Sequence, residues 1–326
     1  MPVAGVLSPA GGINITGLTA AAVATADQIP FFDDSVNANR KITYGDLRTA
    51  VVAGVVADVD VVEIDVAALQ LEVAALTASA ATSLRGYIDG CTLSNDVSDA
   101  SNDIVISPGV ARSSGNTATL VLTGALIKRS DATWTAGTGN GGMDTGVKPV
   151  SGTLHTYLIS DGATADVIFS IAAGGPLLPA GYTTFRRIGA VLTDASSNIR
   201  GFFQNGDVFS LRTRAHDRNN TTVTSTATLQ VLSVPTGILV AARFQLRAAN
   251  GFGDQYFFAT SPSEADQLPN ATGIGQGDIV TAATFNQFNE LVRTTNTSGQ
   301  IRLRGNISGL VSIITSGWID TRGKDA

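Results

Sequence analysis

Two hydrophobic periods divide this chain of 326 residues. Over residues 55–88 the apolar positions recur at alternating steps of three and four. With Val59 as an a position, the a/d seam runs Val59, Val62, Val66, Leu69, Val73, Leu76, Ala80, Ser83 and Tyr87. A repeat of 3.5 residues keeps one stripe facing a partner helix under left-handed supercoiling, and no Gly or Pro interrupts the seam before Gly86. Such a helix spans about 50 Å at about 1.5 Å per residue and predicts self-association. Val at a with Leu at d is the two-stranded pattern. However, Ile64 and Leu71 at f and Val61 at c widen the apolar stripe, and Glu63, Asp65 and Glu72 at e/g meet no basic partner in the coil. The wide stripe favours a trimer over a dimer.

Outside the coil the runs are short and separated by turn residues, which predicts β structure. In the first half, strands are expected at 104–106, 118–127, 154–160, 166–172, 185–192, 199–204 and 208–212. Turns are expected at Asn140-Gly141-Gly142, Asp161-Gly162 and Asn205-Gly206, the last being the strongest hairpin signal. Thr221–Val234 reads as one long strand, and Ile238, Val240, Ala242, Phe244, Leu246 and Ala248 alternate for one half-buried face. Strands are also expected at 256–258, 301–303 and 310–319, whereas 281–292 suits a strand or a short helix. Ahead of the coil, Ile29, Phe31 and Ile42 read as two short strands around a turn, and Thr43 suits a helix N-cap. The expected fold is mainly β, with an N-terminal adaptor, a trimeric coiled-coil helix and two β-sandwich-like domains. Its expected boundaries are 1–54, 55–88, 89–215 and 216–326. No regular repeat of 20–50 residues points to a β-helix or propeller.

Composition agrees: aromatics are 6% and charged residues 15%, with 35 Gly, which suits turn-rich β structure with small neutral surface residues. The formal charge of −6 and the lack of any Lys/Arg run argue against nucleic acid as a partner. Cys91 is the only cysteine, which excludes an intrachain disulfide and a Cys-based zinc site. Met1–Gly5 lacks a positive region, the Ala-rich run at 19–25 is too short for a signal peptide, and no apolar run is long enough to span a membrane.

Candidate chemistry is sparse. Asn95, Asp96, Asp99, Asn102 and Asp103 cluster, but without the spacing of a calcium loop, and read as turn residues. Gly273–Asp278 lacks both the dinucleotide and the P-loop pattern. His216-Asp217 adjoins many Ser and Thr residues without a nucleophile elbow. Neither catalysis nor a metal or cofactor is expected. Trp134, in the polar stretch 133–142, is the best candidate receptor contact, because recognition tends to sit in loops on rigid scaffolds.

The order of these segments resembles fibre and tail proteins of tailed bacteriophages. Ala26–Leu47, with Ala-Asp-Gln-Ile-Pro-Phe followed by Lys-Ile-Thr-Tyr-Gly-Asp-Leu, resembles the N-terminal module of many virion-attached phage proteins. Tyr182–Phe209 resembles a β module recurrent in phage tail proteins, and Gly317–Gly323 is similar to their terminal segments. The resemblance implies a homotrimeric, non-enzymatic virion component, made in the host cytoplasm and displayed on the particle. Its anchor module would include Ile29, Pro30, Phe31, Ile42, Tyr44 and Leu47. Its implied partners are itself, other virion proteins through the N-terminus, and a host-surface glycan or protein. A short tail or collar fibre is the expected role. A capsid head fibre or decoration protein and a glycan-degrading tailspike are the alternatives.

Overall fold

The computed structural model describes residues 28–33, 38–43, 49, 51–53, 66, 68–72, 85–249, 255–270, 278–281 and 287–324. The chain divides into two units, Met1–Ala78 and Ser79–Ala326. Mainly β structure is what it shows.

In the first unit, β1 (Gln28–Asp33) pairs antiparallel with β2 (Ala38–Thr43), with Ile29 opposite Ile42 and Phe31 opposite Arg40. The expected pair of short strands is therefore present. Helical residues are Thr49, Val51–Ala53, Val66 and Ala68–Glu72, all of them exposed. Tyr44 and Leu47 lie outside the described residues, as does most of the expected coil.

Among the described residues, the second unit forms four sheets. A three-stranded one has the order β3 (Ile88–Gly90), β6 (Gly109–Arg112), β7 (Thr119–Leu122). The largest runs β12 (Thr184–Leu192), β10 (Thr153–Ser160), β11 (Ala165–Ser170), β9 (Asn140–Met143), β8 (Leu126–Thr133), β5 (Asp103–Ile106), β4 (Leu93–Asn95). A five-stranded sheet follows with the order β13 (Phe202–Asn205), β14 (Val208–Val223), β21 (Gly309–Ile319), β16 (Ala241–Ala249), β19 (Gln287–Thr294). The fourth has the order β15 (Thr228–Val231), β20 (Gln300–Gly305), β17 (Gln255–Thr260), β18 (Asp278–Thr281).

Burial explains the placement of the central strands. All eight residues of β10 are buried, because its two faces pack against different layers. Leu154 and Leu158 join the main core with Val167, Phe169 and Ile188. Tyr157 and Ile159 face a second cluster with Ile168, onto which Trp134, Leu178, Tyr182 and Phe185 pack. In β16 the expected alternation holds, with Ala242, Phe244, Leu246 and Ala248 inward. Trp318 on β21 stacks on Phe209 of β14 with ring centroids 5.4 Å apart, which places about 2–3 kcal/mol of apolar burial per ring at the centre of the five-stranded sheet.

Several expectations are corrected. The stretch 118–127 is two strands, β7 and β8, in different sheets, with Gly124 between them. Thr221–Val234 is likewise the end of β14, a turn, and then β15. The expected boundary at 215/216 lies within β14, which pairs with β21 on both sides of it through several register shifts. One hydrophobic cluster accordingly reaches from Ile88 to Trp318. Asn140-Gly141-Gly142 is strand β9, in parallel register with β8 and β11. Gly142 is required there, since a Cβ would lie 2.7 Å from the Phe169 ring. Residues 287–294 resolve as strand. The Asn205-Gly206 hairpin forms as expected, with Asn205 opposite Val208 and Gly206 at φ +59°.

Candidate functional site

Trp134 follows directly on β8 and is half-buried. Its backbone N–H donates to the Met143 carbonyl at 2.7 Å, and its indole Nε1–H donates to the Val167 carbonyl at 3.0 Å. Tyr182 meets its ring edge-on, with centroids 5.2 Å apart and an interplanar angle of 79°. An aromatic pair of this geometry is worth about 0.5–1.5 kcal/mol beyond its area. Tyr157 and Phe185 extend the cluster with a second edge-on contact at 5.8 Å.

An ion pair holds this loop. Lys128 Nζ on β8 lies 2.9 Å from Asp166 Oδ1 on β11, with both side chains buried. Lys128 also donates to the Thr135 carbonyl at 2.6 Å and sits 5.2 Å from the centroid of the Trp134 ring. The Asp166 carboxylate accepts from Gly137 N–H at 2.8 Å and Val167 N–H at 2.6 Å. Burial lowers the Lys128 pKa while Asp166 opposes that shift. The polar stretch 133–142 is thus fastened at Trp134, Thr135 and Gly137, and Trp134 is presented in a fixed orientation.

A second buried group lies on the same face of β10. His155 is 1% exposed, and its Nδ1 has no hydrogen-bond partner. Its Nε2 lies 3.4 Å from the point a Cβ on Gly237 would occupy. Arg187 on β12 forms a two-pronged pair with Asp320, at 2.6 and 2.7 Å. Burial, then the Arg187 guanidinium, push the His155 pKa down to about 4, against the opposing pull of Asp320.

No family model, curated protein or solved structure matches the chain.

Among the residues singled out from sequence, Val66 and Leu69 are helical and 48% and 59% exposed. Val59, Val62, Val73, Leu76 and Ala80 lie outside the described residues. Ile29, Pro30, Phe31 and Ile42 are brought together by the β1–β2 ladder. Asp96 Oδ1 accepts from the backbone of Ser98 and Asp99, and Asp99 Oδ1 from Ser101 and Asn102. These carboxylates close turns, as expected. The Asn102 side-chain amide, with those backbone donors, holds Asp99 below the usual carboxylate range. His216 is exposed, whereas Asp217 accepts from Ser233 N–H, Ser233 Oγ and Thr315 Oγ1. Among the described residues no group of three His, Cys, Asp or Glu is placed to hold a metal. Gly273–Gly277 lies outside them.

Sequence reasoning missed the Lys128–Asp166 and Arg187–Asp320 pairs, whose members are far apart in the chain and carry no local signature. It also missed Phe203, which is 56% exposed on β13 with the Arg212 guanidinium 4.0 Å from its ring centroid.

Proposed function

We propose that the chain is a non-enzymatic structural component of a phage particle, a short homotrimeric tail or collar fibre for host adhesion. The observation that carries this reading is the exposure of Val66 and Leu69. Both belong to the a/d seam, both are helical, and each leaves about half of an apolar side chain in water within the single chain. Joining two further copies of the helix buries that seam, and a stripe widened by Ile64 and Leu71 suits three helices. In this reading the β1–β2 hairpin, with Ile29, Pro30, Phe31 and Ile42, belongs to the segment that docks on the particle. The β unit 79–326 meets the host, with Trp134 as one contact. Three weak contacts on one stalk gain avidity through effective concentration.

The docking role is tested by deleting residues 1–54. The shortened chain should still form its oligomer but be missing from purified particles. Its presence on particles at the normal copy number would overturn the assignment.

A further inference from the structure

The outer face of the five-stranded sheet carries chemistry that the aromatic cluster at Trp134 does not. Charge is unevenly divided along the chain. Residues 208–326 hold ten Lys/Arg against eight Asp/Glu, whereas residues 1–207 hold eleven against nineteen, which gives +2 and −8 and sums to the overall −6. Several of the basic groups converge on one face. Phe203 on β13 stands opposite Ser210 on β14, and Ser210 stands opposite Gly317 on β21, which in turn stands opposite Arg243 on β16. The row has no side chain at Gly317, and Arg243 crosses that gap to place Nη1 3.3 Å from Ser210 Oγ.

The strand β14 is bulged at this point. Ser210 pairs with Gly317 and Ala215 with Thr315, so four residues of β14 stand against Ser316 alone. Bulges of this kind re-aim side chains. Arg212 and Arg214 emerge from it exposed, and Arg212 lies over the exposed Phe203 ring. Arg243 touches Glu290 at 3.4 Å and stays 30% exposed. Among the described residues no carboxylate lies within ion-pair distance of Arg212 or Arg214. The face thus offers an exposed aromatic ring, a hydroxyl and the guanidinium groups of Arg212 and Arg243, in a chain that is acidic overall.

We infer that this face binds a carboxylated polysaccharide of the host surface. Its guanidinium groups pair with sugar carboxylates, which match their planar fork, and Phe203 packs against the apolar side of a ring. The inference rests on the adhesion reading and names its ligand class.

The test uses the full chain and sodium polygalacturonate as probe, with neutral dextran and duplex DNA as comparators. Polygalacturonate should bind at least tenfold tighter than dextran and weaken as salt rises from 50 to 200 mM. Arg212→Gln with Arg243→Gln should weaken it tenfold or more, and Phe203→Ala should weaken it without changing charge. Unchanged circular dichroism and melting temperature establish that the variants fold. Dextran binding as tight as polygalacturonate would overturn the inference, as would variants that bind like the parent. DNA binding of equal strength together with an inert Phe203→Ala would reduce the face to a general polyanion surface and also overturn it. None of these failures touches the fibre reading, because oligomer mass and particle incorporation are measured without the polymer.

Discussion

His155 gives the β unit a distinct sensitivity to acid. Its imidazole is buried, with Nδ1 unpaired, and the charged groups facing it are Arg187 and Asp320. In the folded chain its pKa is pushed down from 6.5 to about 4. The unfolded chain therefore takes up a proton near pH 6.5 that the folded chain refuses until about pH 4. Stability contributed by neutral His155 is complete above pH 6.5 and lost as pH falls toward 4. At about 1.4 kcal/mol per unit, the loss over that window is about 3 kcal/mol. Trp134 and Trp318, the only tryptophans, both lie in this unit, so their fluorescence follows its unfolding in urea. Unfolding free energies of the parent and of His155→Gln would be measured at intervals from pH 7.5 to 4. The variant removes the titration and leaves other groups in place, so the difference between the two should shift by about 3 kcal/mol, the parent losing more. A difference that stays flat across this window would refute the reasoning.

Two further outcomes follow from the packing and a third from the proposed coil. Asp166→Ala leaves Lys128 buried without its partner and should cost about 3–5 kcal/mol, read as a lower urea midpoint together with a changed Trp134 emission. Gly317→Ala places a Cβ about 2.0 Å from the Phe209 carbonyl oxygen, so β14 and β21 must separate locally. A loss above about 3 kcal/mol is expected in thermal melting, at the severe end of single substitutions. On the proposed coil, Leu69→Asp with Leu76→Asp would put charges in the seam at a cost of several kcal/mol per chain, on the order of the burial penalty for unpaired polar groups. The oligomer should dissociate while β-rich circular dichroism persists, and survival of the oligomer would move the interface to the β unit.

What was legible in the sequence tracks local information. The alternation at 242–248 and the Asn205-Gly206 turn each encode their structure within a few residues, and both appear as expected. Breaks inside apolar runs were not legible, because Thr123–Ala125 and Thr224–Ala227 interrupt hydrophobic stretches without a strong turn dipeptide. The glycines of β9 mislead for the opposite reason. Asn140-Gly141-Gly142 carries turn residues, yet their small size is demanded by Phe169 and by the Thr133 carbonyl packed against the strand. Trp134 stands out in the sequence as an aromatic in a polar stretch. Lys128 and Asp166, which fix it, are 38 residues apart, and only the β8–β9–β11 order brings them together. The basic face was hidden in the same way, since Phe203, Arg212 and Arg243 come from three strands and the chain is acidic overall.

The central claim is that exposed seam residues on the helix assemble three chains. Light scattering on the purified full chain, across a dilution series, tests it most directly. A stable mass near three chains of 33.4 kDa is the expected result. A strict monomer at every concentration, or a stable mass of two chains, would contradict it.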